Sequence, residues 1–333
     1  GAEGGGGGRP APHHRLVPPA GGALVKILVT GGAGFIGSHV VDTFLAAGHE
    51  VAVVDNLTTG DARWVNPRAH LHAVDLRSAR LARVFEAERP EVVTHLAAQA
   101  SVGRSVTDPA FDASVNIGGG VGLLECSRRY GVRRLIYSSS GGAGYGDTDV
   151  IPTPESHPTL PISPYGITKV AMEQYVNAWE GIYGISGISL RYANIYGPRQ
   201  NPQGEAGVIA IFCHRLLTGQ IPMINGDGGQ TRDYTYVGDV AAANLKALEH
   251  PEVTGPVNVC TGVETSVNDL YRALALAAGS RVEAQHAPAR PGEQRRSCLS
   301  PTLAGRALDW KPTVSLGEGL RRTFEFFRKE TAS

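Results

Sequence analysis

Val25-Lys26-Ile27-Leu28-Val29-Thr30-Gly31-Gly32-Ala33-Gly34-Phe35-Ile36-Gly37 is the stretch on which the fold turns. Its first half is apolar and rich in β-branched residues, which predicts a buried strand. Its second half has glycines spaced as G-x-G-x-x-G at 32, 34 and 37, and as G-x-x-G-x-x-G at 31, 34 and 37. A helical pattern over residues 38–47 ends at Gly48. A second strand, Val51-Ala52-Val53-Val54, ends at Asp55. A strand, a glycine turn, a helix, a second strand and a terminal acid about 20 residues on make a dinucleotide-binding pattern. The glycines let backbone amides approach a pyrophosphate at a helix N-terminus. Asp55 suits an adenosine ribose hydroxyl, and a 2′-phosphate would meet its like charge, so NAD is expected over NADP.

The alternation continues outward. Strands are predicted at residues 71–74, 92–96, 134–137 and 188–192, separated by helices at 82–88, 111–130 and from Pro164 onward. The third strand runs into Asp75-Leu76 and the fourth into Ala97-Ala98. The fifth ends in Ser138-Ser139-Ser140. Strands separated by helices predict an α/β fold, a Rossmann-type doubly wound parallel sheet whose ligands gather at the carboxyl ends of the strands. Gly118-Gly119-Gly120 weakens the 111–130 helix by about 1 kcal/mol per glycine, so either the helix breaks there or something packs on its backbone. After residue 195 the texture is more irregular, with turn chemistry at 195–202 and a glycine-rich polar loop at 225–233 carrying Arg232.

Ser163-Pro164-Tyr165-Gly166-Ile167-Thr168-Lys169 places a capping serine and a first-turn proline ahead of a tyrosine and a lysine four residues apart. That spacing puts the phenol and the ammonium on one helix face. A cation near a phenol favours the phenolate, so Tyr165 is expected to titrate below its ordinary value of about 10 and to act as a base.

Composition narrows the function. With 31 basic and 31 acidic residues among 333, charge offers no argument for nucleic acid or an anionic membrane, and an anionic ligand needs a few placed arginines. Cys126, Cys213, Cys260 and Cys298 are far apart, with no metal-ligand spacing, and read as thiols of a reducing, cytoplasmic compartment. No apolar run is long enough to span a bilayer. Residues 1–22, with a glycine run at 4–8 and His13-His14, are read as a flexible leader or tag.

In the order Gly32-x-Gly34-x-x-Gly37, Ser138-Ser139-Ser140, Tyr165-x-x-x-Lys169, the chain resembles an extended short-chain dehydrogenase/reductase. More narrowly it resembles the NAD-dependent nucleotide-sugar epimerase/dehydratase family, and within it the UDP-glucose 4-epimerase group. The stretches Arg191-Tyr192-Ala193-Asn194-Ile195-Tyr196-Gly197-Pro198-Arg199, Gly226-Asp227-Gly228-Gly229-Gln230-Thr231-Arg232-Asp233-Tyr234 and Arg290-Pro291-Gly292-Glu293 carry the likeness to the end of the chain. The resemblance implies a UDP-sugar C4-epimerase of the UDP-glucose/UDP-galactose type that oxidises C4 transiently with tightly bound NAD, and a homodimer joined by the 111–130 and 164–182 helices. It implies an NAD-binding domain at 23–195, with 233–262 returning to it, and a nucleotide-sugar domain at 196–232 and 263–333.

The resemblance also assigns roles. Tyr165 is the acid/base and Lys169 sets its pKa and holds the nicotinamide ribose. Ser139 or Ser140 bonds the sugar O4, and the extra glycine in Gly141-Gly142-Ala143-Gly144 leaves both open. NAD contacts are expected from Gly31, Gly34, Phe35, Ile36, Gly37, Asp55, Asn56, Asp75, Leu76, Leu96, Ala97, Ala98, Tyr165 and Lys169. Asn194, Arg232 and Arg290 are expected on the UDP diphosphate. Ala143-Gly144 lacks the acids that dehydratases and decarboxylases carry before the tyrosine-glycine turn, which favours epimerisation. A small residue near Ser297 is expected to admit 2-N-acetyl sugars, and Arg295-Arg296 offers a carboxylate partner as in UDP-glucuronate 4-epimerisation. A nucleotide-sugar dehydratase or reductase, or a non-catalytic NAD-binding module, are the other readings.

Overall fold

The computed structural model describes residues 24–203, 207–289 and 294–332. The leader at 1–22 and the stretch Arg290-Pro291-Gly292-Glu293, with the expected diphosphate ligand Arg290, lie outside these residues.

β1 (Lys26–Thr30), α1 (Phe35–Ala46), β2 (Glu50–Asp55), β3 (His70–Ala73), α2 (Arg80–Glu88) and β4 (Val92–His95) follow the expected alternation. Next come α3 (Val102–Thr107), α4 (Pro109–Ala113), a π-helical turn (Ser114–Gly119), α5 (Gly120–Arg129), β5 (Arg134–Ser140), α6 (Gly141–Tyr145), α7 (Pro164–Tyr183) and β6 (Ser186–Tyr192). Then follow β7 (Asn194–Tyr196), α8 (Val208–Leu217), β8 (Met223–Asn225), β9 (Thr231–Tyr236), α9 (Val237–Glu249) and β10 (Gly255–Val259). β11 (Glu264–Ser266), α10 (Val267–Ala278), β12 (Gln285–Ala287), β13 (Arg296–Ser297), α11 (Thr302–Ala307) and α12 (Leu316–Ala332) complete the chain.

Seven parallel strands form the central sheet in the order β10-β6-β5-β4-β1-β2-β3. The order reverses between β1 and β4, which is where an open α/β sheet makes its ligand crevice. Alternate strand residues feed two cores. Ile27 and Val29 pack with Val40, Val41 and Phe44 of α1 and with Val240, Ala243 and Ala247 of α9. Leu28, Val93 and Leu135 pack on the other face with Phe85 of α2, Leu123 of α5, and Met172 and Val176 of α7. Burial on both faces explains why the strands read as continuous apolar runs rather than alternating ones.

The expected single helix at 111–130 is instead α4, a π-turn and α5, and something does pack on its backbone. A Cβ on Gly120 would stand 2.6 Å from Met172 Cε, and one on Gly119 would stand 3.2 Å from Leu76 Cβ. The two buried glycines of this run therefore seat α7 and the loop after β3 within the chain, rather than a neighbouring subunit. At the start of α7, Ser163 Oγ accepts from Gly166 N at 3.1 Å and Pro164 occupies the first turn. Gly184, at φ 72°, ends the helix in the left-handed conformation. Gly166 is required here, because a Cβ would fall 2.4 Å from Ala143 O of α6.

Beyond β6, Tyr196, Ile209, Phe212, Tyr236, Leu270, Leu274, Leu320 and Phe327 form a third core. β7 and β13 both run parallel to β9, with β11 antiparallel on it, so the segment expected as a polar loop at 225–233 enters a strand at Thr231. That strand carries Arg232. β10 and α9 return to the large sheet, where α9 packs on α1.

Candidate active site

The carboxyl ends of β1, β2, β4 and β5 gather the candidate residues. Gly31 turns the chain at φ 71°, and a Cβ there would sit 2.7 Å from Ala97 N. Gly37 packs more tightly still: a Cβ would stand 2.0 Å from Gly31 O. No side chain caps α1 at Gly34, so the first-turn amides of Phe35, Ile36 and Gly37 are left for an anion. Asp55 Oδ2 accepts from Ala33 N at 3.0 Å and Oδ1 from Leu57 N at 2.8 Å. The carboxylate thus ties the glycine turn to β2 and keeps lone pairs for two ribose hydroxyls. A cradle of uncapped amides beside a buried acid fits a dinucleotide.

Asp75 receives Arg77 Nε and Nη2, both at 2.9 Å, and Asn56 Nδ2 at 3.0 Å. Hydrogen bonds from Arg77 hold its carboxyl well below the usual range. Leu76 is buried in the core beneath the π-turn. Leu96 N bonds Thr30 O at 3.1 Å and Ala97 N bonds Thr30 Oγ1 at 3.2 Å, which draws Leu96, Ala97 and Ala98 beside the glycine turn. His95 Nδ1 meets Thr30 Oγ1 at 2.8 Å, and burial pushes the ring down to about 3, so it stays neutral.

Tyr165 and Lys169 lie together over the end of β5. Lys169 is buried, its Nζ donating to Ser138 O at 2.8 Å and lying 5.8 Å from the Tyr165 ring centre. Burial lowers it to about 8, against the charges of Asp112 and Glu173. Tyr165 departs from the expectation of a lowered pKa. Burial of its hydroxyl pushes it up to about 12, against a hydrogen bond with Ser140, and Asp112 adds to the rise. Burial outweighs the nearby charge of Lys169, whose ammonium donates to the Ser138 carbonyl and lies 5.8 Å from the ring centre.

Of the two open serines, Ser140 is the one beside Tyr165. Its Oγ also caps α6, accepting from Ala143 N at 3.4 Å. Ser139, one residue earlier, faces elsewhere, donating Oγ to Glu173 Oε1 at 2.6 Å. Glu173 is buried and clamps Arg191, with Nε to Oε1 at 2.9 Å and Nη2 to Oε2 at 2.6 Å. The strand period of two separates the roles, and Ser139 belongs to this ion pair.

Two residues escaped the sequence reading. Asp112 is fully buried and accepts from Gln99 Nε2 at 2.7 Å, Thr168 Oγ1 at 2.8 Å and Asn116 Nδ2 at 3.1 Å. Asn116 Oδ1 in turn accepts Gln99 N at 2.8 Å. This network joins α4 and the π-turn to α7 one residue before Lys169. Its only trace in the sequence is the i, i+4 spacing of Asp112 and Asn116.

On the substrate side, Asn194 opens β7 and is exposed, while Arg232 lies on β9 with Nη1 donating to Thr231 O at 2.8 Å. Ser297 pairs with Arg232 in register, and its Oγ lies 3.3 Å from where a Gly142 Cβ would stand. β13 therefore reaches α6, the helix that Ser140 caps. Arg295 and Arg296 do not act together toward that site. Arg295 pairs with Asp227 at 2.8 Å and Arg296 with Glu264 at 2.5 Å, and both side chains are about half exposed or more, at 63% and 49%.

The model of the NAD dependent epimerase/dehydratase family matches residues 27–260. A UDP-glucose 4-epimerase of Mycolicibacterium smegmatis is 45% identical over 312 residues, covering 92% of this chain and 100% of that protein. The structure of UDP-glucose 4-epimerase from Thermotoga maritima, solved with UDP-glucose, superposes with a TM-score of 0.89 at 49% identity, covering 92% of this chain and 99% of that one. The UDP-glucose 4-epimerase of Thermus thermophilus, solved with NAD, superposes at 0.86 with 47% identity, covering 91% and 99%.

Proposed function

The chain belongs to the NAD-dependent epimerase/dehydratase family, and we propose that it is a UDP-sugar 4-epimerase acting on UDP-glucose and UDP-galactose. The observation that carries the reading is Tyr165, set beside Ser140 and backed by Lys169, at the carboxyl edge of a sheet whose glycine turn presents uncapped amides. NAD, when bound, supplies a reversible two-electron acceptor for C4 of the sugar. Phe35, Ile36 and Gly37 amides hold its pyrophosphate and Asp55 its adenosine ribose, with Asn56, Asp75, Leu76, Leu96, Ala97 and Ala98 lining the rest.

Tyr165 takes the proton of the sugar 4-hydroxyl and returns it to the epimeric alcohol, with Ser140 as the relay and the O4 anchor. Lys169 favours the phenolate once a ligand draws its ammonium from the Ser138 carbonyl. Asp112 and Asn116 fix α7 behind the pair. Asn194 and Arg232 hold the diphosphate, and Arg290 is assigned with them by sequence. We assign NAD to 23–195 with 233–262, and the nucleotide sugar to 196–232 and 263–333. The outward pairing of Arg295 and Arg296 disfavours a glucuronate carboxylate, whereas the small Ser297 beside Gly142 favours room for a 2-N-acetyl group.

No helix among the described residues is long and apolar enough to cross a membrane. All four cysteines are free thiols, which suits the cytoplasm. Ile167, Tyr175, Ile182 and Tyr183 of α7 and Val106 of α3 are exposed apolar residues, which supports a homodimer through this side. The test is to incubate the protein with UDP-glucose and, separately, UDP-N-acetylglucosamine, and resolve the C4 epimers. UDP-galactose should form with no net change in NADH, and Tyr165→Phe should abolish it while leaving UDP binding intact. No C4 epimer from either substrate would overturn the assignment.

A further inference from the structure

β3 is the edge strand of the large sheet, and the start of it lies at the end of the sheet away from the reacting groups. His70 and His72, two residues apart, share one strand face, with their ring centres 4.2 Å apart. Glu88, the last residue of α2, is buried against both. One oxygen, Oε1, meets His70 Nδ1 at 2.6 Å and His72 Nε2 at 2.6 Å, and the other, Oε2, pairs with Lys26 Nζ at 2.8 Å. Nothing in the epimerase reading uses these four side chains.

We propose that His70, His72 and Glu88 form a site for a divalent transition metal of the zinc class. Two imidazoles and a carboxylate are a donor set that zinc takes, with about 2.0–2.2 Å to each nitrogen or oxygen. The three ligand atoms lie within 4.8 Å of one another. A tetrahedral ion holds its ligand atoms about 3.4 Å apart, so each 2.6 Å contact must open by under about 1 Å. The His70 side chain, 70% exposed, is free to swing that far and leaves an entry path from solvent. Lys26 on the second carboxylate oxygen orients Glu88 to offer Oε1 alone, as outer groups do around metal ligands. The fourth position falls to water. The ion would fasten the edge strand β3 to the end of α2, on a side of the molecule that takes no part in turnover.

The plain alternative is that the two imidazoles only hydrogen-bond Glu88. Chelator-treated full-length protein titrated with zinc chloride by calorimetry distinguishes them, with cobalt(II) absorption as the reporter of ligand geometry. Wild type should bind zinc and gain thermal stability, and show cobalt bands in the visible. His70→Ala and His72→Ala, each of which leaves the Lys26–Glu88 pair in place, should bind zinc at least about tenfold more weakly, and lose both the stability gain and the bands. UDP-glucose turnover should be the same in all three proteins, which shows that the variants are folded. If the variants bind as much zinc as wild type with the same Kd, the metal sits elsewhere on the chain, His13-His14 included, and the proposal falls. It falls equally if wild type binds none.

Discussion

Glu173→Ala tests whether the strand end that carries Ser140 is held by a buried ion pair. Glu173 and Arg191 are almost fully enclosed, with side-chain exposures of 2% and 6%. Glu173 accepts from Arg191 Nε and Nη2 and from Ser139 Oγ, while Arg191 Nη1 donates to Tyr145 Oη at 2.8 Å. Tyr145 Oη passes the chain on to Asn258 Oδ1 at 2.9 Å. Removing the carboxylate strands a buried guanidinium and a buried hydroxyl. Breaking one side of such a pair costs about 3–5 kcal/mol, or about 4–7 °C in Tm for a chain of this size. Glu173→Met with Arg191→Met removes both charges and should recover a large part of that loss, since the attraction and the desolvation of a buried pair nearly cancel. The assay is urea denaturation followed by circular dichroism, comparing midpoints at unchanged slope. Because Ser139 precedes Ser140 and Tyr145 ends α6, the single variant should also lower kcat more than it raises KM. A loss below about 1 kcal/mol in Glu173→Ala, or a double variant as unstable as the single, would refute the reasoning.

Gly37→Ala places a Cβ 2.0 Å from the Gly31 carbonyl oxygen, so the glycine turn must open. Purified Gly37→Ala should carry no bound NAD by absorbance and extraction while keeping its far-ultraviolet spectrum, and full NAD occupancy would count against the cradle. The pH profile of kcat/KM follows from Lys169, held down to about 8 by burial in the free protein, with Asp112 and Glu173 opposing. Its ammonium is present below that value and lost above it, so support for the phenolate fades and kcat/KM should fall as pH rises through about 8. Lys169→Arg keeps its charge throughout and should show whatever residual activity it has without that alkaline limb. The same limb in both proteins would assign it to another group.

Much of this protein is written locally in its sequence. The run from Val25 to Gly37 specifies strand, turn and helix because its signals, β-branched residues and then glycines free to turn the chain, act over a few residues. Ser163, Pro164 and Gly184 bound α7 for the same reason, and the four-residue spacing puts Tyr165 and Lys169 on one face before any tertiary contact exists. What depended on distant parts of the chain was not legible. That Ser139 bonds Glu173, 34 residues away, while Ser140 lies beside Tyr165, depends on how β5 packs on α7. Asp112 meets Thr168 across 56 residues, and nothing near either announces the pair. The sign of the Tyr165 shift was also a tertiary matter. Sequence spacing sets how near two side chains can come, but only packing sets how dry the phenol is and which carbonyl its lysine prefers.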